Sequence, residues 1–318
     1  MRPLAAVLIT AALFAGPLAA TAQPAPEVGA PVTVARAEQF DFKSKLTGRD
    51  YRIFISRPIL PAPPSGYPVV YVFDGNGLIG TATDAARSLS AVGEARAAVV
   101  VGIGYPTESM LTVQTLRLKD MTTATSPERF AASRPGPGAT LENTGGLDAY
   151  LRVLEEEIKP LVARQARIDP ADQTLLGHSL GGLAVLRALF TAPTSFRTFV
   201  ASSPSIWWDS RAILDGEAAF AQKVARQEIE PRIFIDVGGL EQTARAAMPG
   251  LTLAESQIDV QKFRMVDNAA ELGARLAAVK GGPRYQVTTH VFPDETHMSV
   301  IWAATSRGLR FALDPASK

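Results

Sequence analysis

Short runs of apolar residues, separated by mixed polar and apolar segments, recur along most of the chain. The runs are YPVVYVF, AAVVVGIGY, TLLGH, FVASSP, RIFIDVG and YQVTTHVF. Uninterrupted apolar strands of this length are typical of parallel sheets with both faces covered, and the segments between them are long enough for crossover helices. Two of those segments, GLDAYLRVLEEEIKPLVARQ and AAELGARLAAV, repeat apolar residues at helical spacing. The pattern predicts a doubly wound α/β domain with helices on both faces of the sheet.

The region before these runs has a different periodicity. The segments EQFDFKSKL and DYRIFISRP alternate polar and apolar residues on either side of Thr47-Gly48-Arg49. Alternation around a short turn is typical of an antiparallel hairpin, here near a sheet edge. A long connection between Lys119 and Gly146 departs from the pattern, and loops of that length are usually covers over active sites or disordered segments.

The N-terminus has the features of a cleavable Sec signal peptide. One positive charge, Arg2, precedes an apolar run from Leu4 to Ala15 and the small residues Ala20-Thr21-Ala22. The alternative is a membrane anchor, but a spanning helix needs about 20 apolar residues and this run is shorter. We therefore expect a signal peptide over residues 1–22, a flexible arm over 23–36 and one α/β domain over 37–318, in a periplasmic or secreted protein without a membrane anchor.

Composition excludes several classes of function. The chain has no cysteine, which excludes disulfides, thiolate metal sites and an N-terminal lipid on cysteine. Its 32 basic and 31 acidic residues are nearly balanced, and nothing indicates a nucleic-acid-binding surface. Because the chain has only three histidines and no His-x-x-x-His pair, few ligands are available for a metal cluster. We expect neither a metal nor a cofactor.

The stretch GHSLG, residues 177–181, is a candidate nucleophile elbow. It follows the predicted strand QTLL and precedes the predicted helix GLAVLRALF. In the α/β-hydrolase arrangement this position presents a serine on a sharp strand-to-helix turn, and the flanking glycines avoid collisions with neighbouring strands and helices. Ser179 is therefore the candidate nucleophile. The alternative is a glycine-rich turn with a solvated serine.

A serine nucleophile needs a base, and the chain contains three histidines. His178 lies inside the elbow and leaves the turn on a different side from Ser179, which makes it a poor base. His290 falls within a predicted strand, where we expect a packed structural ring. His297 follows the last strand, in FPDETHMSVIW, where the hydrolase fold carries its base. Elimination and topology both favour His297.

Two carboxylates compete for the acid position. Glu241 lies in the turn GGLEQ after the strand RIFID and is well placed to reach a histidine loop, while Asp236 lies within or just past that strand. A carboxylate beside the imidazole favours the productive tautomer and the imidazolium formed during attack. A serine–histidine dyad without an acid is a third alternative.

Backbone amides are the expected donors to the oxyanion. The amide of Leu180 directly follows the nucleophile, and the loop after YVFDGNG offers the amide of Asn76 or of Gly75 as the second donor. The alternative for this loop is an ordinary turn.

Several motifs together resemble one family. The segments VVYVFDGNG, VVVGIGYP, RLKDMTTATSP, TLLGHSLGGLAVLRALF, ASSPSIWW, DVGGLEQ and DETHMSVIW occur in the order found in the putative-esterase branch of the α/β hydrolases. Within that branch the chain is similar to periplasmic siderophore esterases, which open enterobactin- and salmochelin-type trilactones. The similarity runs from about Phe40 to the terminal helix.

The resemblance implies Ser179 as nucleophile, His297 as base, an acid at Glu241 and the amide of Asn76 in the oxyanion hole. The siderophore esterases are described as using mainly a serine–histidine dyad. The resemblance also places Arg117 near the pocket, where it would meet an anionic catecholate, although the proline of the family pattern R-x-x-D-x-T-P is displaced here.

Two of the candidate binding residues have ordinary structural alternatives. Arg117 would otherwise form an ion pair with Asp120. Trp207 and Trp208 would either wall an aromatic pocket or divide into one core ring and one surface ring.

The leading expectation is an exported serine esterase that acts through an acyl-enzyme on a small-molecule ester, such as a ferric or apo trilactone siderophore. One alternative keeps the fold and nucleophile in a general carboxylesterase or an acyltransferase. Another is a binding protein of the same fold that has lost catalysis.

Overall fold

An eight-stranded mixed sheet organises the chain in the order β1-β2-β4-β3-β5-β6-β7-β8. The structure is a computed structural model and describes residues 32–133, 138–244, 247 and 250–317. The strands are β1 (Ala37–Lys43), β2 (Asp50–Ser56), β3 (Tyr67–Val72), β4 (Val99–Gly104), β5 (Ile168–His178), β6 (Thr198–Ser202), β7 (Arg232–Gly238) and β8 (Gln286–Phe292). The predicted signal peptide and most of the predicted arm lie outside the described residues.

The direction of the strands confirms the predicted α/β fold. β1 and β2 form the predicted antiparallel hairpin, with Ala37 opposite Ser56, and β2 is antiparallel to β4. All remaining pairs are parallel. The residues Val34–Lys318 form one compact unit.

Helices cover both faces of the sheet. They are α1 (Gly75–Ala91), α2 (Met110–Met121), α3 (Pro127–Ser133), α4 (Leu147–Val153), α5 (Lys159–Gln165), α6 (Leu180–Thr191), α7 (Trp208–Arg211), α8 (Glu217–Ala225), α9 (Leu253–Phe263), α10 (Met265–Ala278) and α11 (Val300–Ala312). α1 and α11 cover one face. α4, α6, α8 and α10 contribute to the larger core on the other. Among the described residues, no helix has both the length and the apolar character that a membrane span requires.

The helix predicted as one element from Leu147 onwards contains a widened turn. A π-helical segment, Leu154–Ile158, joins α4 to α5. Pro160 stands near the start of α5 and has no N–H to continue the α-helical hydrogen bonds of the preceding turn. π-helix occurs mostly as single turns inside α-helices, as it does between α4 and α5.

The last strand differs from the buried strand that its apolar run predicts. β8 pairs only with β7 among the described residues and forms one edge of the sheet, and its outer residues are exposed. His290 is therefore exposed, and the centroids of its ring and that of Phe292 are 4.3 Å apart. The expectation of a ring packed between strand neighbours or against a helix is wrong. An edge position provides one strand neighbour instead of two.

The topology brings the functional loops to one edge. β3, β5, β6, β7 and β8 are parallel, so their carboxyl ends, and the loops that follow them, meet at the same edge of the sheet. This edge is where open α/β sheets place their ligands.

A close contact between α11 and the sheet gives a test of the packing. A Cβ added to Gly308 in α11 would lie 2.6 Å from Cγ1 of Val200 in the sheet, whereas one added to Gly80 in α1 meets nothing within 4 Å. We expect Gly308→Ala to lower the free energy of unfolding by about 1–3 kcal/mol, because Val200 is fully buried and cannot move aside.

The matched substitution Gly80→Ala should instead raise the free energy of unfolding by roughly 0.5–1 kcal/mol, because alanine is the better helix former. Urea denaturation of the two variants and the wild type measures both effects. Equal shifts in the two variants would contradict the packing described for α11.

Candidate active site

Ser179 lies on a strained turn between β5 and α6. Its backbone angles are φ 61° and ψ −117°, which few residues with a side chain adopt. A Cβ at Gly177 would lie 2.4 Å from the main chain of Gly181, so the turn closes only with glycine at that position. The Ser179 N–H donates to the carbonyl of Ser202 at 3.0 Å, and the Ser179 carbonyl accepts from the N–H of Ser205 at 3.1 Å. The neighbouring loop thus holds the turn from both sides.

The serine hydroxyl belongs to a hydrogen-bonded chain of three side chains. Nε2 of His297 lies 3.0 Å from Oγ of Ser179, and Nδ1 of His297 lies 2.6 Å from Oε2 of Glu241. A carboxylate only accepts hydrogen bonds, so Nδ1 carries the proton and Nε2 offers its lone pair to the hydroxyl. The structure therefore brings together three of the residues predicted from the sequence.

Glu241 is fixed by two further donors. Its Oε1 accepts the N–H of Gly238 at 2.7 Å and the hydroxyl of Ser203 at 2.5 Å, and its side chain is 1% exposed. A buried carboxylate with both oxygens hydrogen-bonded has little freedom to turn away from the imidazole. Glu241 is thus positioned before any substrate arrives.

Asp236, the rival acid, makes a different set of contacts. Its Oδ1 accepts the hydroxyl of Ser202 at 2.8 Å, and that hydroxyl oxygen is 3.2 Å from Nδ1 of His178. Burial raises the pKa of Asp236 to about 8, the hydrogen bond from Ser202 opposes this shift, and the nearby charge of Glu241 adds to it. Of the two candidate acids, only Glu241 is hydrogen-bonded to His297.

The two candidate oxyanion donors lie at helix starts. Leu180 is the first residue of α6 and Asn76 the second of α1, positions whose amides lack a carbonyl one turn earlier in the helix. The Asn76 side chain accepts the N–H of Tyr105 at 2.8 Å and donates to the carbonyls of Tyr105 at 2.9 Å and Thr107 at 3.2 Å. These contacts join the start of α1 to the loop after β4.

Arg117 links the same loops. Its Nε donates to Oδ1 of Asp74 at 2.7 Å and its Nη2 donates to the main-chain carbonyl of His178 at 3.0 Å. The alternative ion pair with Asp120 does not form, because Asp120 is paired with Arg49. Arg117 thus connects the end of β3 to the elbow, with its side chain 12% exposed.

The paired tryptophans divide between core and boundary. Trp208 is fully buried, while Trp207 is partly buried. The centroids of the Trp207 and Phe263 rings are 4.6 Å apart. Part of the long connection after Lys119 packs beside the tryptophans, since the ring centroids of Phe130 in α3 and Trp208 are 6.3 Å apart. The connection also bonds to this region through Thr125 and the carboxylate of Asp209.

Some residues of the site carried no usable sequence signal. Ser203 and Gly238 hold Glu241, and Ser205 contacts Ser179 through its amide and, at 3.4 Å, through its hydroxyl. The run SSPS, which begins at the last residue of β6, was the available clue, since loops at the carboxyl ends of parallel strands line such sites. Its serines are indistinguishable by pattern from ordinary turn residues.

The buried Asp236 gives a prediction about pH and stability. The pKa of Asp236 is about 8 in the folded protein and near 3.8 in the unfolded chain. As the pH rises, the unfolded chain therefore loses this proton before the folded protein does. The contribution of the protonated group to stability is therefore present at low pH and lost between about pH 4 and pH 8. We expect the free energy of unfolding to fall less steeply with pH in Asp236→Asn than in the wild type.

Urea denaturation at about pH 5 and about pH 8 measures the two slopes. Asp120, whose pKa burial raises to about 6, contributes in both proteins and cancels in the comparison. Identical slopes would contradict a protonated, buried Asp236.

Comparison with known proteins agrees with this architecture. A model of the family described as "Putative esterase" matches residues 44–285. The ferri-bacillibactin esterase BesA of Bacillus subtilis (strain 168) is 37% identical over 287 residues, which cover 89% of this chain and 91% of that protein. A siderophore triacetylfusarinine C esterase of Aspergillus fumigatus is 35% identical over 291 residues, covering 88% and 94%.

Solved structures show the same likeness. The crystal structure of the BES protein from Bacillus cereus has a TM-score of 0.72 and 33% identity, covering 90% of this chain and 97% of that one. The siderophore hydrolase EstB from Aspergillus nidulans has a TM-score of 0.74 and 30% identity, covering 90% and 98%. With this fold, this family match and these relatives, the chain belongs to the putative-esterase family of the α/β hydrolases.

Proposed function

We propose that this protein is an exported serine esterase that hydrolyses the ester bonds of trilactone siderophores, with Ser179 as nucleophile, His297 as base and Glu241 as the acid. The observation that carries the proposal is the chain of hydrogen bonds from Ser179 through His297 to Glu241. The relatives named as siderophore esterases, over nearly the full length of the chain, support the substrate class.

The geometry suits nucleophilic attack on an ester carbonyl. Oγ of Ser179 forms a bond to the carbonyl carbon while its proton passes to Nε2 of His297, and the carbonyl electrons move onto oxygen. His297 then gives that proton to the departing alcohol oxygen, leaving an acyl-enzyme. Water attacks the acyl group with His297 again taking the proton, and the carboxylic acid leaves as Ser179 regains its hydrogen. In a trilactone, the first such cycle opens the ring.

The oxyanion that forms in each step needs donors already in position. The amides of Leu180 and Asn76 are our candidates, each contributing about 3 kcal/mol to stabilising the transition state. The side-chain contacts of Asn76 with Tyr105 and Thr107 support this role, because they fix the first turn of α1 without using the Asn76 N–H.

Arg117 and Trp207 remain candidate substrate contacts. Arg117 already neutralises Asp74, so we propose that it contacts an anionic catecholate of the substrate through Nη1, which takes part in neither of the hydrogen bonds described above. Export to the periplasm or the medium rests on the signal peptide predicted over residues 1–22.

Comparing the wild type with Ser179→Ala and His297→Ala tests the proposed reaction. We expect the mature wild-type protein to cleave a short p-nitrophenyl ester and a trilactone siderophore, and both variants to lose nearly all of the activity because nucleophile or base is missing. Release of p-nitrophenol, and chromatography of the opened lactone, are the measurements.

The two substrates separate the alternatives within the esterases. A higher kcat/KM on the trilactone supports the specialised function, while a preference for the short ester supports a general carboxylesterase. Full activity in Ser179→Ala would refute the assigned nucleophile.

A second comparison tests the acid. Glu241→Gln keeps the size of the side chain but presents an amide N–H₂ or a neutral oxygen to Nδ1, which disturbs the imidazole tautomer. We expect kcat to fall by about 10³- to 10⁴-fold, as when the acid of a serine triad is made neutral. Steady-state kinetics on the p-nitrophenyl ester measures the loss.

The same change at Glu271, which pairs with Arg264 and is exposed on α10, is the matched surface control. A dyad mechanism would instead leave the kcat of Glu241→Gln close to that of Glu271→Gln. A greater loss in Asp236→Asn than in Glu241→Gln would reassign the acid to Asp236.

A further inference from the structure

A second row of serine, histidine and acid lies beside the first. His178, Ser202 and Asp236 are in register at the ends of β5, β6 and β7, so their side chains leave the same face of the sheet. The hydroxyl of Ser202 donates to Oδ1 of Asp236 at 2.8 Å, and its oxygen is 3.2 Å from Nδ1 of His178. All three residues are buried, which prevents substrate from reaching them.

The two rows meet through their imidazoles. The ring of His178 lies against the ring of His297, with centroids 4.6 Å apart and an angle of 40° between the planes. His178 is 6% exposed, whereas the side chain of His297 is 38% exposed. One face of the His297 ring therefore lies against His178, and the exposed part of its side chain lies elsewhere.

The hydrogen bonds of His297 hold its ring at two points. Nε2 binds Ser179 and Nδ1 binds Glu241. Because the lone pair and the N–H of an imidazole lie in the plane of the ring, a displacement of the ring out of that plane bends both bonds. A contact on the face of the ring opposes such a displacement, and His178 supplies one.

His178 suits this role because it carries no charge. Burial lowers the pKa of His178 well below its usual range. The charge that His297 gains during attack and the charge of Arg117 lower this pKa further, and the nearby main chain of His297 partly offsets the change. Its Nε2 is buried with no hydrogen-bond partner of good geometry in the described part of the chain. The groups facing the ring are therefore a neutral Ser202, the base itself and, through the His178 main chain, Arg117. A neutral ring does not oppose the charge that His297 gains during attack.

We propose that His178 is a positioning residue for the base. Its ring, held by the hydrogen bonds to Ser202 and from Ser202 to Asp236, keeps the His297 ring in the orientation from which Nε2 takes the Ser179 proton. The inference rests on the proposed esterase mechanism and adds a residue to it. His178 touches neither substrate nor the transferred proton, and it acts through His297 alone.

Two substitutions separate the effect of the ring contact with His297 from the effect of the hydrogen bond to Ser202. His178→Phe keeps a planar ring against His297 but loses the hydrogen bond to Ser202. His178→Asn keeps a donor near Ser202 but removes most of the ring face. His290→Gln is the matched control, because His290 lies on the neighbouring edge strand β8 and its side chain is exposed.

We expect His178→Asn to lower kcat on a p-nitrophenyl ester by about 100-fold, the loss associated with a small misplacement of a reacting group, with KM little changed. The rate at which a fluorophosphonate labels Ser179 should fall in parallel. The kcat of His178→Phe should fall much less, and the kcat of His290→Gln should equal that of the wild type.

Two results would overturn the inference. Folded His178→Asn with wild-type kcat and a wild-type rate of labelling by the fluorophosphonate shows that the ring face does not position the base. Equal losses in His178→Phe, His178→Asn and Ser202→Ala assign the effect to the buried hydrogen bonds instead. Circular dichroism and thermal unfolding establish that each variant is folded. A wild type that neither cleaves esters nor reacts with the fluorophosphonate refutes the proposed function itself.

Discussion

The closed turn at Ser179 is the constraint on which the rest of the site depends. A positive φ at a serine is unfavourable, and the turn persists because β5, α6 and the loop after β6 leave no other path for the chain. The glycine at 177 permits this crossing, where even a single methyl group would meet the main chain of Gly181. The packing of the central sheet therefore offsets the backbone strain at Ser179. The turn in return places the Ser179 hydroxyl above the carboxyl ends of the strands.

Around that hydroxyl, each loop contributes one function and fixes another loop. The loop after β6 binds both the elbow, through Ser205, and the acid, through Ser203. The loop after β3 is tied to the elbow by Arg117. Positioned groups of this kind reduce the reorganisation that catalysis requires, since donors and acceptors are already oriented when charge develops. The family's esterase activity thus depends on contacts between loops as much as on the three reacting side chains.

The parts of this site that the sequence predicts are those governed by local rules and by topology. Ser179 is recognisable because the elbow demands glycine at fixed positions, and His297 because topology puts the last loop beside it. The sequence favours Glu241 over Asp236 because Glu241 lies in the turn after β7, while Asp236 lies within that strand. It does not show which of the two side chains crosses to the next loop, because that depends on tertiary packing. The partner of Arg117 was equally hidden, because Asp74 is distant in sequence, whereas Asp120 is near in sequence but paired with Arg49. The exposed position of β8 required strand order, which an apolar run does not encode.

That edge strand has a consequence for how the enzyme loses activity. β8 carries the loop of His297, yet within the described residues it has a strand neighbour on one side only. The loop is joined to the turn after β7 by the Gly239 and Leu240 amides, which donate to the carbonyls of Phe292 and Glu295. Edge elements open at lower free energy than the centre of a sheet. Partial denaturation would therefore detach the proposed base while the elbow remained folded. Inactivation would precede the loss of the core, and the protein would pass through a state that keeps its proposed nucleophile but cannot activate it.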